Sequence, residues 1–162
     1  MAEETKSEDT QQEAPQNLAI QKIYTKDVSF ESPNSPLGFQ EEWKPAINVD
    51  LNTDGQPLEN DHYEVVLKVT VTATNNDKTV FLVEVHQAGV FHLTGFDEEQ
   101  RNFILGSYCP GTLFPYAREV ISSLVTDGGY PPVILAPVNF EALYQEHQQR
   151  TQSADADAQQ TH

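Results

Sequence analysis

Apolar and polar residues alternate along much of the first half of the chain, and this period of two is typical of β-strands. The clearest segment is 63–74, where apolar side chains face one way and mainly polar ones face the other. Residues 79–91 alternate in the same way, and Asn-Asn-Asp-Lys at 75–78 predicts the turn that joins the two segments. Together they predict a hairpin with one apolar face and one mixed face.

Two further strand-like segments precede that hairpin. Residues 20–30 end at a Ser-Pro-Asn-Ser-Pro sequence, residues 32–36, which forces an extended and irregular connection. Residues 44–53 alternate as well, and Asp54-Gly55 after them predicts a turn. The first half of the chain is therefore predicted to form four strands.

The second half has the spacing of helices. Asp97 and Gln100 form a capping-box pattern that opens a short predicted helix ending near Leu105. Thr112 can cap the next helix, whose apolar residues recur every three or four positions until the Gly-Gly pair at 128–129.

Asn139 caps the last predicted helix, which runs from Phe140 to about Arg150. Strands first and helices afterwards are typical of the α+β class. We therefore expect a four-stranded antiparallel sheet with helices packed on one of its faces.

One domain accounts for the folded part, because 162 residues suffice for a single core. Residues 1–16 and 151–162 lack large apolar side chains after Met1 and are rich in small and polar residues. Such segments cannot bury enough surface to offset the entropy of ordering, so we expect a disordered acidic N-terminal tail and a disordered C-terminal tail. The domain itself is expected to span residues 17–150.

The charge balance narrows the possible partners. The chain has 9 basic and 25 acidic residues, a formal net charge of −16 and a pI near 4.4. This balance argues against nucleic acid and anionic membranes as partners, and a basic protein is the natural complement. The acidic start is unlike a signal peptide, no apolar run is long enough to span a bilayer, and one cysteine permits no intrachain disulfide. We expect a cytoplasmic protein.

Signatures of catalysis and metal binding are weak. Cys109 is the single thiol, and a nucleophile would need a positioned base and a lowered pKa. A small buried apolar residue is the simpler interpretation of it. His86 and His92 have neither helical nor zinc-finger spacing, and the other three histidines are isolated in the sequence. We expect no catalytic residue, no metal site and no cofactor.

A segment rich in aromatics and prolines at 108–118, Tyr-Cys-Pro-Gly-Thr-Leu-Phe-Pro-Tyr-Ala-Arg, predicts a shaped apolar surface or junction. Leu37, Phe39 and Trp43 lie in a proline-flanked connection and form either a cover for the core or one wall of a groove. An aromatic-lined groove can hold extended peptides through side-chain burial and main-chain hydrogen bonds. These residues favour a binding function over an enzymatic one.

The mixed face of the sheet offers a second candidate surface. Leu82 and Glu84 share one face of their strand, and Asp27 and Glu31 lie on the first strand or at its end. Together they could form an apolar spot within an acidic patch, although the spacing alone slightly favours ordinary strand decoration.

Four segments resemble the SecB family of protein-export chaperones. They are IYTKDVSFESP at 23–33, YEVVLKVTVTA at 63–73, YCPGTLFPYARE at 108–119 and LAPVNF at 135–140. The resemblance spans about residues 20–144 in the order found in the family. The tails and residues 51–60 show none of it.

The resemblance implies an ATP-independent chaperone that holds unfolded precursor proteins before export and passes them to the SecA motor ATPase. It also implies a homotetramer built as a dimer of dimers. The family's SecA-binding positions match Asp27, Glu31, Leu82 and Glu84, the residues of the candidate patch. The basic, zinc-containing tail of SecA would supply the opposite charge, so that any zinc belongs to the partner.

For the precursor-binding groove, the family comparison suggests six apolar residues: Leu37, Phe39, Trp43, Phe81, Phe114 and Tyr116. Strand-to-strand contacts between subunits would fall near Val83, Val85 and Gln87. Val83 stands where the family often has a cysteine, which is a conservative departure for packing.

Two other functions stay open from the residues alone. One is a small cytosolic enzyme with Cys109 as nucleophile. The other is an assembly protein with a dimerising sheet and no cargo. Loss of a turnover activity on alkylation would support the enzyme, whereas suppression of a client's refolding would separate a chaperone from an assembly protein.

Overall fold

A four-stranded antiparallel sheet forms the base of the fold in the computed structural model, which describes residues 13–160. Its strands are β1 (Asn17–Glu31), β2 (Ala46–Pro57), β3 (His62–Asn75) and β4 (Lys78–Thr94). They are ordered β1-β4-β3-β2, so β1 and β2 are the two edges. Every neighbouring pair is antiparallel, which confirms the predicted sheet.

The hairpin of β3 and β4 has the predicted turn. Asn76 and Asp77 have φ angles of 50° and 61°, the left-handed conformation that a tight two-residue turn requires. Asparagine and aspartate tolerate this conformation better than most residues with a Cβ atom. Local preference and strand pairing therefore agree here.

The predicted turn at Asp54-Gly55 is wrong. Both residues lie within β2 and pair with β3. The chain reverses only at Asn60 and Asp61, whose φ angles are 57° and 58°. An Asp-Gly pair expresses a local preference, and the continued pairing of β2 with β3 outweighs it.

The main helices follow the strands. A 3-10 helical turn lies between β1 and β2 at Leu37–Gln40, and after β4 come α1 (Glu98–Phe103), a π-helical turn (Ile104–Tyr108), α2 (Cys109–Asp127) and α3 (Phe140–Gln160). The predicted capping box opens α1, since the backbone N–H of Gln100 donates to the Asp97 carboxylate at 2.8 Å. Gly128 caps the end of α2 as predicted.

α1, the π-helical turn and α2 form one continuous helical run, because Ile104 and Cys109 at the junctions have right-handed helical angles. The predicted helix start at Thr112 is therefore wrong. Its hydroxyl instead donates to the carbonyl of Tyr108 at 2.9 Å, inside the run. Pro110 accounts for the π-helical turn, since proline lacks the N–H of the regular ladder and its ring crowds the carbonyl four residues earlier.

The core lies between the sheet and this helical run. Alternate residues of β3 from Val65 to Ala73, and of β4 from Phe81 to Val85, have no exposed surface. They pack with the buried side chains of α2, which are Cys109, Leu113, Phe114, Ala117, Ile121 and Val125. The helices thus cover one face of the sheet, as the α+β prediction requires. We call the opposite sheet face the open face.

The C-terminal helix is longer than predicted. α3 continues to Gln160, past the boundary expected near Arg150, so residues 151–160 are helical where a disordered tail was expected. Its first turns are docked, because Phe140 is buried and Tyr144 packs against Gly106. The Ala- and Gln-rich continuation has good intrinsic helix propensity, which extends a helix once it has been nucleated.

The N-terminal part is only partly described. Residues 13–16 form neither helix nor strand, and the expected disorder of residues 1–12 and 161–162 lies outside the described range. Within residues 13–160, no helix has both the length and the apolar content that crossing a membrane requires.

Candidate functional site

The four residues of the candidate acidic patch lie together on the open face. β1 pairs with β4 so that Glu31 is opposite Leu82, while Asp27 is opposite His86, two residues along the strand from Glu84. Asp27 and Glu31 are exposed, whereas Leu82 and Glu84 are half-buried. The acidic patch, defined by Asp27, Glu31, Leu82 and Glu84, therefore presents carboxylates around one leucine, as hypothesised from the sequence.

His86 contacts this patch directly. Its Nε2 atom is 2.6 Å from Oε1 of Glu84, and the strand register places it opposite Asp27. The contact holds the Glu84 carboxylate in one orientation. The other three patch residues can face solvent or a partner.

A buried carboxylate lies on the same open face. Glu64 is 7% exposed and accepts hydrogen bonds from the Tyr24 hydroxyl, from Lys26 Nζ at 2.8 Å and from Gln56 Nε2 at 2.6 Å. These donors, Lys26 first, hold the pKa of the Glu64 carboxyl below its ordinary value despite its burial. Burial, together with the hydrogen bond to Glu64, raises the pKa of Tyr24 to about 12.

Phe39 and Trp43 form an aromatic cluster with Tyr130, which follows α2. The ring centroids of Phe39 and Tyr130 are 5.0 Å apart, and those of Trp43 and Tyr130 are 5.6 Å apart. Tyr130 is buried, and its hydroxyl donates to the carbonyl of Val80 at 3.2 Å. Tyr130 was not predicted as a site residue, although its position between a Gly-Gly and a Pro-Pro pair indicates a constrained aromatic residue.

Two of the six predicted groove residues are buried, and their assignment as groove-lining residues is corrected. Phe81 has no exposed surface and Phe114 has 4%. Phe81 packs against Tyr130 from the core side, and Phe114 packs against Phe140 of α3. Both lie beneath the surface, because Tyr130 packs on Phe81 and Phe140 of α3 packs on Phe114. Three of the others are exposed by half or more: Leu37, Phe39 and Tyr116.

A cleft of about 740 Å³ lies between β2 and α3. Its apolar lining comes from β2, β3, the π-helical turn and α3: Leu51, Tyr63, Leu105, Phe140, Leu143 and Tyr144. None of these was among the predicted groove residues, because the cleft depends on where α3 docks. On β2, Ile47 and Val49 continue the apolar row of Leu51, and each is 40% exposed.

Glycine determines how closely α3 approaches the helical run. A Cβ atom on Gly106 would lie 2.5 Å from the ring of Tyr144, so only glycine leaves room for that ring. Tyr144 also packs edge-on against Phe103, with ring centroids 5.5 Å apart. The π-helical turn thus presents a small residue where α3 crosses it.

The rim of the cleft is basic, unlike most of the chain. Arg101, His147 and Arg150 line it together with Glu146. Arg150 Nη2 is 4.0 Å from Glu146, whereas Arg101 has no ion pair within residues 13–160. β2 on the other side is an edge strand, so its free backbone groups can pair with an extended peptide. The cleft therefore suits a peptide with apolar side chains.

The residues predicted for subunit contacts point into the core. Val83 and Val85 have no exposed surface and Gln87 is 3% exposed. Because they face the helices of their own chain, these three side chains cannot meet a second subunit, and that assignment is corrected. Two exposed apolar side chains on the edge strand β1 are better placed for such contacts: Ile20 and Val28.

Cys109 does not have the properties of a nucleophile. It has no exposed surface, and burial raises the pKa of its thiol to about 12. The thiol is therefore protonated at neutral pH and inaccessible to a substrate.

Comparison with known proteins agrees with this architecture. The family model described as preprotein translocase subunit SecB matches residues 10–151. The chain belongs to the SecB family. The resemblance noted in the sequence is thus confirmed, and with it a general role as a chaperone of protein export.

Curated relatives match this chain over nearly its full length. The protein-export protein SecB of Nitrosococcus oceani is 55% identical over 159 residues, which cover 96% of this chain and 97% of that protein. The protein-export protein SecB of Marinobacter nauticus is 47% identical over 165 residues, which cover the whole of both chains.

A solved structure shares the SecB fold. It is a SecB-like chaperone of Mycobacterium tuberculosis in complex with a ChAD peptide from an antitoxin, with a TM-score of 0.58. The match covers 75% of this chain and 90% of that chain at 17% identity. The likeness confirms the predicted fold class.

Proposed function

We propose that this SecB-family chain is an ATP-independent holdase of the cytoplasm that binds unfolded precursor proteins, keeps them competent for translocation and delivers them to the SecA motor. The main support for this proposal is that the acidic patch and the apolar surfaces lie on opposite faces of one sheet. The acidic patch lies on the open face, and the aromatic cluster and the cleft lie on the helix-covered side. Because the surfaces are separate, precursor and motor can be bound together.

Precursor holding would use the exposed apolar side chains. Leu37, Phe39 and Tyr116 are each at least half exposed, and Leu143 in the cleft is 43% exposed. Many such weak contacts act together on one long unfolded chain, because each bound segment raises the effective concentration of the next. Binding then competes with the client's folding by mass action, which requires no ATP.

SecA docking would use the acidic patch. Asp27, Glu31 and Glu84 would pair with the basic, zinc-containing tail of the motor, and Leu82 would bury an apolar side chain at the centre. Opposite charges speed the encounter, and salt screens them over about 10 Å at an ionic strength of 0.1 M. We therefore expect the rate of docking to fall as the salt concentration rises.

The docking surface is tested by Glu84→Lys. Because a like charge would face the basic tail, the dissociation constant should rise about tenfold or more at low salt, measured by fluorescence anisotropy of a labelled, zinc-loaded SecA tail peptide. Glu119→Lys on α2 changes the net charge equally but lies outside the patch, and it should bind like the unmodified chain. Equal binding by both variants, or an equal loss in both, would contradict the patch.

The holding surface is tested by Leu143→Asp. A charge in the apolar lining should reduce the suppression of client refolding several-fold at stoichiometric amounts, since a buried unpaired carboxylate is costly. Leu58→Asp is the matched control, because Leu58 is 44% exposed and lies outside the cleft. SecA-tail binding should be unchanged in both variants. Full holding activity in Leu143→Asp would show that the cleft does not bind clients.

A further inference from the structure

Two histidines that are far apart in sequence lie directly opposite each other in the sheet. His62 on β3 pairs with His92 on β4, and their ring centroids are 4.6 Å apart with the planes tilted by 34°. Opposite positions on antiparallel strands bring the Cβ atoms within about 5 Å, so two imidazoles can reach one small ion together. On the other side of His92, β1 has only the small side chain of Ala19.

His62 already has the arrangement of a metal-binding histidine. Its Nδ1 atom is 2.7 Å from the carbonyl oxygen of Asn60 and 3.1 Å from that of Glu59. Both oxygens are acceptors, so Nδ1 donates, and Nε2 is the nitrogen whose lone pair an ion would take. Ligating histidines usually donate their second N–H to a carbonyl or carboxylate in this way, which fixes the tautomer and the ring orientation.

Two backbone hydrogen bonds hold the turn that supplies these carbonyls, one from the residue after β2 and one from β4. The N–H of Leu58 donates to the carbonyl of His62 at 2.7 Å, and the N–H of Leu93 donates to that of Asp61 at 3.0 Å. The His62 ring is therefore positioned relative to β4. The ring of His92 has no hydrogen-bond partner within residues 13–160, so it can turn toward an ion without breaking a bond.

We propose that His62 and His92 together bind one divalent transition-metal ion such as nickel(II) or zinc(II), each through one ring nitrogen. Imidazole nitrogen suits these ions, and the net charge of −16 raises the local concentration of cations. No cluster of three or more metal-ligating side chains occurs within residues 13–160, so water or a donor from another molecule fills the remaining positions. The pair exists only when β3 and β4 are paired, so the ion binds the folded chain and stabilises it.

The test is calorimetric titration of nickel(II) into the full, tag-free chain carrying His162→Asn, which removes the histidine of the tail. We expect one ion per chain. His92→Asn should raise the dissociation constant about tenfold or more, and it breaks no hydrogen bond that the fold uses. His62→Asn should act similarly. His86→Asn and His147→Asn are matched controls at positions outside the pair and should bind like the parent.

Thermal unfolding provides the second measurement. Nickel(II) should raise the unfolding midpoint of the parent chain and of both controls, and it should leave the midpoint of His92→Asn unchanged. The proposal is overturned if the parent binds no nickel(II), if His92→Asn binds as tightly as the parent, or if either control loses as much affinity as His92→Asn.

Discussion

At the scale of single residues, Glu64 shows how one carboxylate connects three strands. Its hydrogen-bond donors come from β1 (Tyr24 and Lys26) and from β2 (Gln56), while Glu64 itself is on β3. β4 lies between β1 and β3, and the residue opposite Tyr24 on β4 is the small Ala88. Tyr24 can therefore extend across β4 to reach the carboxylate.

This arrangement predicts an acid-dependent loss of stability. The pKa of Glu64 is lowered in the folded chain, so the unfolded chain binds its proton more tightly, and the free energy of unfolding falls as pH drops through and below the ordinary range of glutamate. Glu64→Gln should cost about 1 kcal/mol at neutral pH and flatten this fall, as measured by urea unfolding across pH. Glu59→Gln on the exposed turn should keep the slope of the parent chain. If the stability of Glu64→Gln fell with pH as steeply as that of the parent chain, Glu64 would not be the source of the acid-dependent loss.

At the scale of secondary-structure elements, the packing of α3 on the helical run forms the cleft. Phe140 anchors its start beneath Phe114, and Tyr144 occupies the space over Gly106. The sequence predicted the start of α3 from Asn139, whose side chain accepts from the N–H of Ala142 at 3.0 Å. Its packing partners could not be predicted, because they come from a different part of the chain.

Two glycines of the helical run provide a matched test of this packing. Gly106→Ala should destabilise the fold by about 1–3 kcal/mol through overpacking, since the new Cβ would be 2.5 Å from Tyr144. Gly111→Ala meets only an ordinary contact, 3.8 Å from Phe140, and should stabilise the helix by about 0.5–1 kcal/mol. Urea unfolding measures both, and hydrogen exchange of α3 amides should quicken only in Gly106→Ala. If both substitutions stabilised the fold, or both destabilised it, the role of Gly106 in the packing of α3 would be contradicted.

At the scale of the whole molecule, the sheet separates the acidic patch on its open face from the aromatic cluster and the cleft on its helix-covered face. β1 forms one edge of this sheet. Within residues 13–160, β1 pairs with β4 on one side and with no strand on the other, so its outer edge has unpaired backbone groups in this part of the chain, along a strand of 15 residues. Ile20 and Val28 on that strand are 44% and 38% exposed. A long open edge with apolar side chains favours pairing with a second copy, which supports the dimer within the dimer of dimers that the family resemblance implies.

Native mass measured by light scattering tests this assembly. The parent chain should have the mass of four chains, and the double variant Ile20→Lys, Val28→Lys should have a lower mass, because charges would replace the two apolar side chains of β1 that a second copy would bury. Ser29→Lys adds charge on the other face of β1, since Ser29 lies opposite Glu84, and should keep the parent mass. A parent mass equal to a single chain would contradict the tetramer.

Features that depend on near neighbours in the chain could be predicted from the amino-acid pattern alone. Alternation predicted that Val65, Leu67 and Val69 share one face, and the Asn-Asp turn predicted the hairpin, because both follow from backbone geometry over a few residues. The mixed strand face suggested the acidic patch, the family resemblance matched it to SecA-binding positions, and the strand register places its residues together.

Features that depend on residues distant in the chain follow from the packing of whole elements. The docking of α3 formed the cleft, packing of the helices and of Tyr130 on the sheet buried Phe81 and Phe114, and strand pairing brought His62 beside His92. Burial and contact arise from packing between whole elements, which local preferences do not specify. For that reason the apolar residues could be identified from the sequence, whereas packing determined which of them remain exposed to a partner.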